Sequence, residues 1–124
     1  MSITDKEVFK DYYNDTLGEL IEYDKNNDSN ILEVLKYYLE NNGSVQKTAE
    51  HFYVHRNSIN YRLNKVQDIL DMDISDLDNR IQLRLAFMVR DMLDWLLFLK
   101  YISFSKFQIT PYNTHQTCSY QNKK

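Results

Sequence analysis

The sequence predicts an all-α protein, a small helical bundle with extra N-terminal helices and a long C-terminal helix. Apolar residues recur at spacings of three and four rather than two, which is the period of a helix face and not of a strand. Only 2 Gly and 1 Pro interrupt 124 residues, so little breaks a helix once begun. Between Ser44 and Leu70, two amphipathic stretches stand on either side of a tight turn. With 43% apolar and 27% charged residues the chain suits one globular domain with a modest core.

Thr4 with Glu7, and Thr16 with Glu19, each read as a capping box, a hydroxyl accepting from a first-turn N–H while the glutamate reaches back. They predict two short helices in residues 1–29, packing on the core. DKNNDSN, residues 24–30, is polar and turn-prone, with Asp28, Ser29 or Asn30 placed to cap the next helix. That helix puts Ile31, Leu35, Tyr38 and Leu39 on one face and ends at Gly43, where the last turn needs a left-handed residue. It opens the main domain, expected over residues 30–100.

Ser44 then caps a short helix whose inner face is Val45, Thr48, Ala49 and Phe52; the small Ala49 lets a second helix approach closely. The second helix starts near Arg56, with Ile59, Leu63, Val66 and Leu70 as a narrow inner stripe. Opposite that stripe, the 100° step puts Asn57, Tyr61, Asn64 and Lys65 on the outer face, with Ser58 at its edge. Two short helices across such a turn form a helix-turn-helix, here residues 44–70, on the three-helix plan that carries DNA-reading helices.

An acidic connector, DMDISDLD, follows, with Ser75 and Asp78 as cap residues, and a long helix begins near Asn79. Its broad apolar face is Ile81, Leu85, Met88, Val89, Met92, Leu96 and Leu99, while Arg80, Arg84, Arg90, Asp91 and Asp94 mark the polar one. Leu83 and Phe87 stray onto the polar side and are the candidate surface for a dimer. Residues 101–124 are polar without a period and are expected to form a loosely ordered tail, or one foreign to the domain.

Formal net charge is −3, which argues against indiscriminate attraction to phosphate. Between Ser44 and Leu70, however, Lys47, Arg56, Arg62 and Lys65 face only Glu50 and Asp68, a local charge of +2 in an otherwise acidic chain. A basic window of this kind fits a protein that meets DNA with one edge. Arg56 presents a planar fork matching guanine O6 and N7, Asn57 can read adenine, and Ser58 can bond a base or a phosphate. Lys65, Lys47 and Ser44 are placed for phosphate, and His55 for capping the recognition helix. Arg62 borders the inner stripe, where an ion pair with a neighbouring helix competes with phosphate contact.

Other chemistries find little support. His51 and His55 stand four apart, but the turn lies between them and Phe52 occupies the position where a zincin helix carries its glutamate, so no metal is expected. Cys118 and His115 lack a third partner for nucleophilic catalysis, and no glycine-rich phosphate loop occurs, so neither enzyme nor cofactor is expected. A single Cys forms no internal disulfide, and no charged-then-apolar leader opens the chain, which makes a cytoplasmic setting the expectation. MLDWLLFLKYISF, residues 92–104, is interrupted by Asp94 and Lys100 and falls short of the roughly 20 residues a span needs, so no membrane is expected.

The run TAEHFYVHRNSINYRL, with LGELIEYD before it and DNRIQLRLAF after, resembles the C-terminal DNA-binding domain of the purine catabolism regulator and sugar diacid regulator (PucR/CdaR) family of bacterial transcription factors. The likeness covers roughly Phe9 to Met92 and is densest at Thr48, Ala49, His55, Arg56, Asn57, Tyr61, Arg62 and Leu63. It implies a Fis-like helix-turn-helix closing a longer chain with an upstream sensory domain. It also implies that His55, Arg56, Asn57, Ser58, Tyr61, Arg62 and Lys65 face double-stranded DNA. Tyr53 stands where many such motifs have a turn glycine, so the turn must be held differently. A homodimer on a two-fold site is the expected assembly. The competing reading is a helical protein–protein or dimerisation module that has lost DNA binding and acts through Leu83 and Phe87.

Overall fold

A computed structural model describes the backbone of residues 3–123 and the side chains of residues 5–105. Five helices and no strand occur among the described residues: α1 (Ile3–Asn27), α2 (Ile31–Glu40), α3 (Val45–Phe52), α4 (Arg56–Leu70) and α5 (Leu77–Lys123). The chain divides into two compact units, Met1–Arg90 and Asp91–Lys124.

In the first unit, α2, α3 and α4 pack on one another and α1 lies against α2 and α4. The core they share holds Leu17 and Leu20 of α1, Ile31, Val34, Leu35, Tyr38 and Leu39 of α2, Ala49 of α3, and Ile59, Leu63 and Val66 of α4. Ile74, from the connector, is buried with them; the Gln67 side-chain oxygen accepts its backbone N–H at 3.0 Å and draws the loop inward.

Where two short N-terminal helices were expected, α1 is continuous. Thr16 does not cap: its hydroxyl donates back to the Tyr12 carbonyl at 2.8 Å, a bond available inside a helix that leaves the main chain unbroken. The Thr4 side chain lies outside the described residues. The cap of α2 also differs from expectation. Asn30 occupies the N-cap position in a left-handed conformation without capping through its side chain. Asp24, on the last turns of α1, serves instead, its two carboxylate oxygens accepting the Ile31 and Leu32 N–H groups at 2.8 Å each and the Ser29 hydroxyl at 2.5 Å. A carboxylate there meets both the free N–H groups and the positive end of the α2 dipole.

Gly43 ends α2 as expected, at φ +74°, its N–H donating to the Tyr38 carbonyl at 2.9 Å. The positive φ is what calls for glycine; a β-carbon there would also press on the Tyr38 ring at 3.3 Å and push aside the flexible tip of Arg80.

The face of α5 turned to the core differs from the expected one, of whose residues before Arg90 only Val89 is buried. Leu83, Ala86 and Phe87 are buried in the first unit's core, whereas Ile81, Leu85 and Met88 are about half exposed. Leu83 and Phe87 are thus core residues, which removes them as a dimer surface and with them the surface through which an interaction module would act. Two causes are visible. Ala86 between them allows close approach, and the neighbouring arginines, taken as marks of the solvent side, bond to the end of α2 and the turn after it: Arg84 pairs with Glu40 at 3.4 Å and Arg80 donates to the Asn42 carbonyl at 3.3 Å. Asp76, rather than Ser75 or Asp78, caps α5 by accepting the Asn79 N–H at 3.2 Å. Ser75 instead donates its N–H and hydroxyl to Asp73, holding that carboxyl below the usual aspartate range.

The second unit is the continuation of α5, which runs helically through residues 101–123 where an irregular tail was expected. Within it Met92, Trp95, Leu99 and Ile102 are exposed, and the Trp95 and Phe98 rings lie 5.7 Å apart. The side chains of His115 and Cys118 lie outside the described residues. Among the described residues no helix is long and apolar enough to cross a membrane.

Candidate nucleic-acid interface

The motif is built from local bonds. Ser44, extended at φ −86° and ψ 106°, accepts the Lys47 N–H on its hydroxyl oxygen at 3.2 Å, and its carbonyl accepts the hydroxyl of the fully buried Thr48 at 2.8 Å. The helix so started ends at Tyr53, which adopts the left-handed conformation itself at φ 54° and ψ 41°. The Val54 N–H then closes back on the Ala49 carbonyl at 3.1 Å, and Val54 packs against the core. This is how the turn holds without its usual glycine. The strain of Tyr53 is local, and its side chain, 95% exposed, asks nothing of the core.

His55 returns the chain to an extended conformation and caps α4, its Nδ1 accepting the Asn57 N–H at 3.1 Å. From there the helical step separates two faces. Ile59, Leu63 and Val66 are buried, and Arg56, Asn57, Ser58 and Tyr61 are exposed, Tyr61 by 71%. Arg62 and Lys65 lie half-buried along the margin.

Two concavities share the sequence-predicted residues. Asn57, Ser58, Tyr61, Arg62 and Lys65 line one of about 480 Å³, whose other wall is Tyr23, Ser29 and Ile31. His55 and Arg56 line a second, beside Gln46, Glu50 and Tyr53 of α3 and the turn. Ser44 and Lys47, at the start of α3, line neither. Sequence reasoning missed Tyr23 and Ser29, because nothing local signals that the end of α1 lies beside α4.

Among the described residues no carboxylate pairs with Lys47, Arg56 or Arg62. The ion pair that competed for Arg62 is therefore not formed there. Glu50 is held by the Gln46 amide at 2.7 Å, and the Lys65 ammonium lies 5.6 Å from the centre of the Tyr23 ring. His51 stacks on Tyr37, ring centres 3.8 Å apart, and edges against Phe52, so the two histidines of the motif have separate structural tasks. What remains on the outer face is a row of unneutralised donors on a capped helix.

The family model of the PucR C-terminal helix-turn-helix domain matches residues 31–89, which hold α2, α3, α4 and the core-facing turns of α5. Residues 31–89 belong to that family. The chain also aligns with longer proteins of Bacillus subtilis (strain 168). The purine catabolism regulatory protein is 39% identical over 80 residues, 64% of this chain and 15% of that protein. The proline-responsive transcriptional activator PutR is 34% identical over 88 residues, 71% of this chain and 21% of that one. The DNA-binding transcriptional activator AdeR is 28% identical over 81 residues, 65% of this chain and 19% of its own length. The chain thus spans about a fifth or less of these relatives. No solved structure matches it. The matched domain is a helix-turn-helix, and the three relatives are named as regulators or transcriptional activators.

Proposed function

We propose that this chain is the sequence-specific double-stranded DNA-binding domain of a bacterial transcriptional regulator, with α4 entering the major groove. The observation that carries the reading is the outer face of α4, where Arg56, Asn57, Ser58 and Tyr61 stand exposed directly after a helix cap and, among the described residues, Arg56 has no carboxylate partner. Side chains at the N-terminal end of such a helix reach base edges. Arg56 is assigned to guanine and Asn57 to adenine, each bidentate contact discriminating by about 1–3 kcal/mol. Ser58 bonds a base or a phosphate, and Tyr61 lies along the sugar–phosphate backbone. Arg62, Lys65, Lys47 and the Ser44 end of α3 hold phosphates, setting register without reading sequence. His55 acts through its cap, fixing the first turn of α4.

Titration into labelled duplex over a range of salt tests this. Log affinity falls linearly with log salt, by about 0.9 for each phosphate neutralised. A slope near zero contradicts the reading.

One copy reads few base pairs, so two copies are proposed on a two-fold site with half-sites about one helical turn apart. With Leu83 and Phe87 committed to the core, the residues a second copy would cover in the first unit are Ile81, Leu85 and Met88, a contiguous exposed apolar row. Sedimentation of the protein with a palindromic duplex gives two copies per duplex; one copy throughout contradicts the dimer. The regulator is proposed to be cytoplasmic, with a sensory domain upstream.

A further inference from the structure

The concavity beside α4 has one wall outside the helix-turn-helix. Tyr23 belongs to α1, and neither it nor Ser29 falls in the residues the family model matches. Tyr23 is half-buried, its ring packed against the core, and the Lys65 ammonium sits over that ring, 5.6 Å from its centre. We infer that the end of α1 is part of the phosphate-binding surface, with Tyr23 as a positioning residue that aims Lys65 at a backbone phosphate of bound duplex.

The choice of partner gives the argument its force. A lysine can be oriented by a carboxylate or by an aromatic face. The carboxylate cancels the charge and repels an approaching phosphate, whereas the ring attracts the ammonium through its quadrupole and leaves the full charge in place. Asp24, the next residue, is the obvious competitor. Its two oxygens instead accept from the Ile31 and Leu32 N–H groups and the Ser29 hydroxyl, and among the described residues no ion pair joins it to Lys65. Lys65 is thereby held on the same concavity as Arg62, Ser58 and Asn57 with its positive charge unspent. A flexible four-carbon stem loses less freedom on binding if it is already directed, which is the gain a positioning residue supplies.

This rests on the DNA-binding reading, and the test separates the two. Duplex affinity is measured against salt for the wild type, Tyr23→Phe, Tyr23→Leu, Lys65→Ala and the Tyr23→Leu/Lys65→Ala double variant. Tyr23→Phe keeps the ring and retains wild-type affinity and slope. Tyr23→Leu keeps an apolar side chain against the core but removes the ring; it weakens binding several-fold and brings the salt slope toward that of Lys65→Ala, and in the Lys65→Ala background it has no further effect. Equal losses in the Phe and Leu variants, or additive losses in the double variant, overturn the role of Tyr23 while leaving DNA binding intact. No salt-dependent binding by the wild type overturns both. Should Tyr23→Leu fail to fold, proton shifts of the folded protein decide: the Lys65 side-chain methylenes are displaced upfield by the Tyr23 ring current, and unshifted resonances overturn the inference.

Discussion

Two residues hold the backbone where the motif needs it, and they do so at opposite cost. Gly43 takes a positive φ with no strain, in a space closed by the Tyr38 ring and the Arg80 guanidinium. Gly43→Ala adds left-handed strain of about 1–2 kcal/mol, while the flexible tip of Arg80 moves aside, so thermal or urea unfolding shows a loss of about 1–2 kcal/mol. Tyr53 takes nearly the same conformation with a β-carbon present. Tyr53→Gly relieves about 1–2 kcal/mol and returns about 0.5–1 kcal/mol to the entropy of the unfolded chain, a net gain of roughly 0.5–1 kcal/mol visible as a raised unfolding midpoint. The Gly43 cap was legible because glycine after an apolar run has one common use. The conformation of Tyr53 was legible only as a problem, a turn without its glycine, since the sequence does not say which residue accepts the strain. Asp24 was not legible as a cap, because it acts across the α1–α2 turn on N–H groups seven and eight residues away.

At the scale of the element, α3 and α4 were readable because their signals are local: Ser44 before α3, His55 before α4, and one apolar arc on α4 with polar residues opposite. The long helix offered apolar residues on two arcs, and the wider arc was not the docked one. What decides between them is tertiary: the small Ala86, and Arg80 and Arg84 spanning to α2. The reversal is testable by paired truncation. Leu83→Ala leaves a cavity in the core and costs about 2–5 kcal/mol, while Ile81→Ala on the exposed arc costs under about 1 kcal/mol. The opposite order in urea denaturation would restore the sequence-based orientation. In the same pair, only Ile81→Ala weakens the second copy's association on a palindromic duplex.

For the whole molecule, charge and fold act together. An acidic chain with a net charge of −3 gains nothing from general attraction to DNA, so the proposed binding is assigned to the basic residues of the motif, Lys47, Arg56, Arg62 and Lys65. The exposure of Asn57, Ser58 and Tyr61 on α4 was legible in the sequence; the other wall of their concavity, Tyr23 and Ser29, was not, since it depends on α1 lying against α4. The central claim is that this edge reads sequence with the first turn of α4 and holds phosphate with residues farther along it. Binding of Arg56→Ala and Lys65→Ala to a duplex selected from a random pool, and to a scrambled duplex of equal length, tests it most directly. Arg56→Ala loses roughly tenfold or more on the selected duplex and far less on the scrambled one, while Lys65→Ala loses about equally on both and lowers the salt slope by about 1. An Arg56→Ala protein that still distinguishes the two duplexes as well as the wild type does would contradict the account.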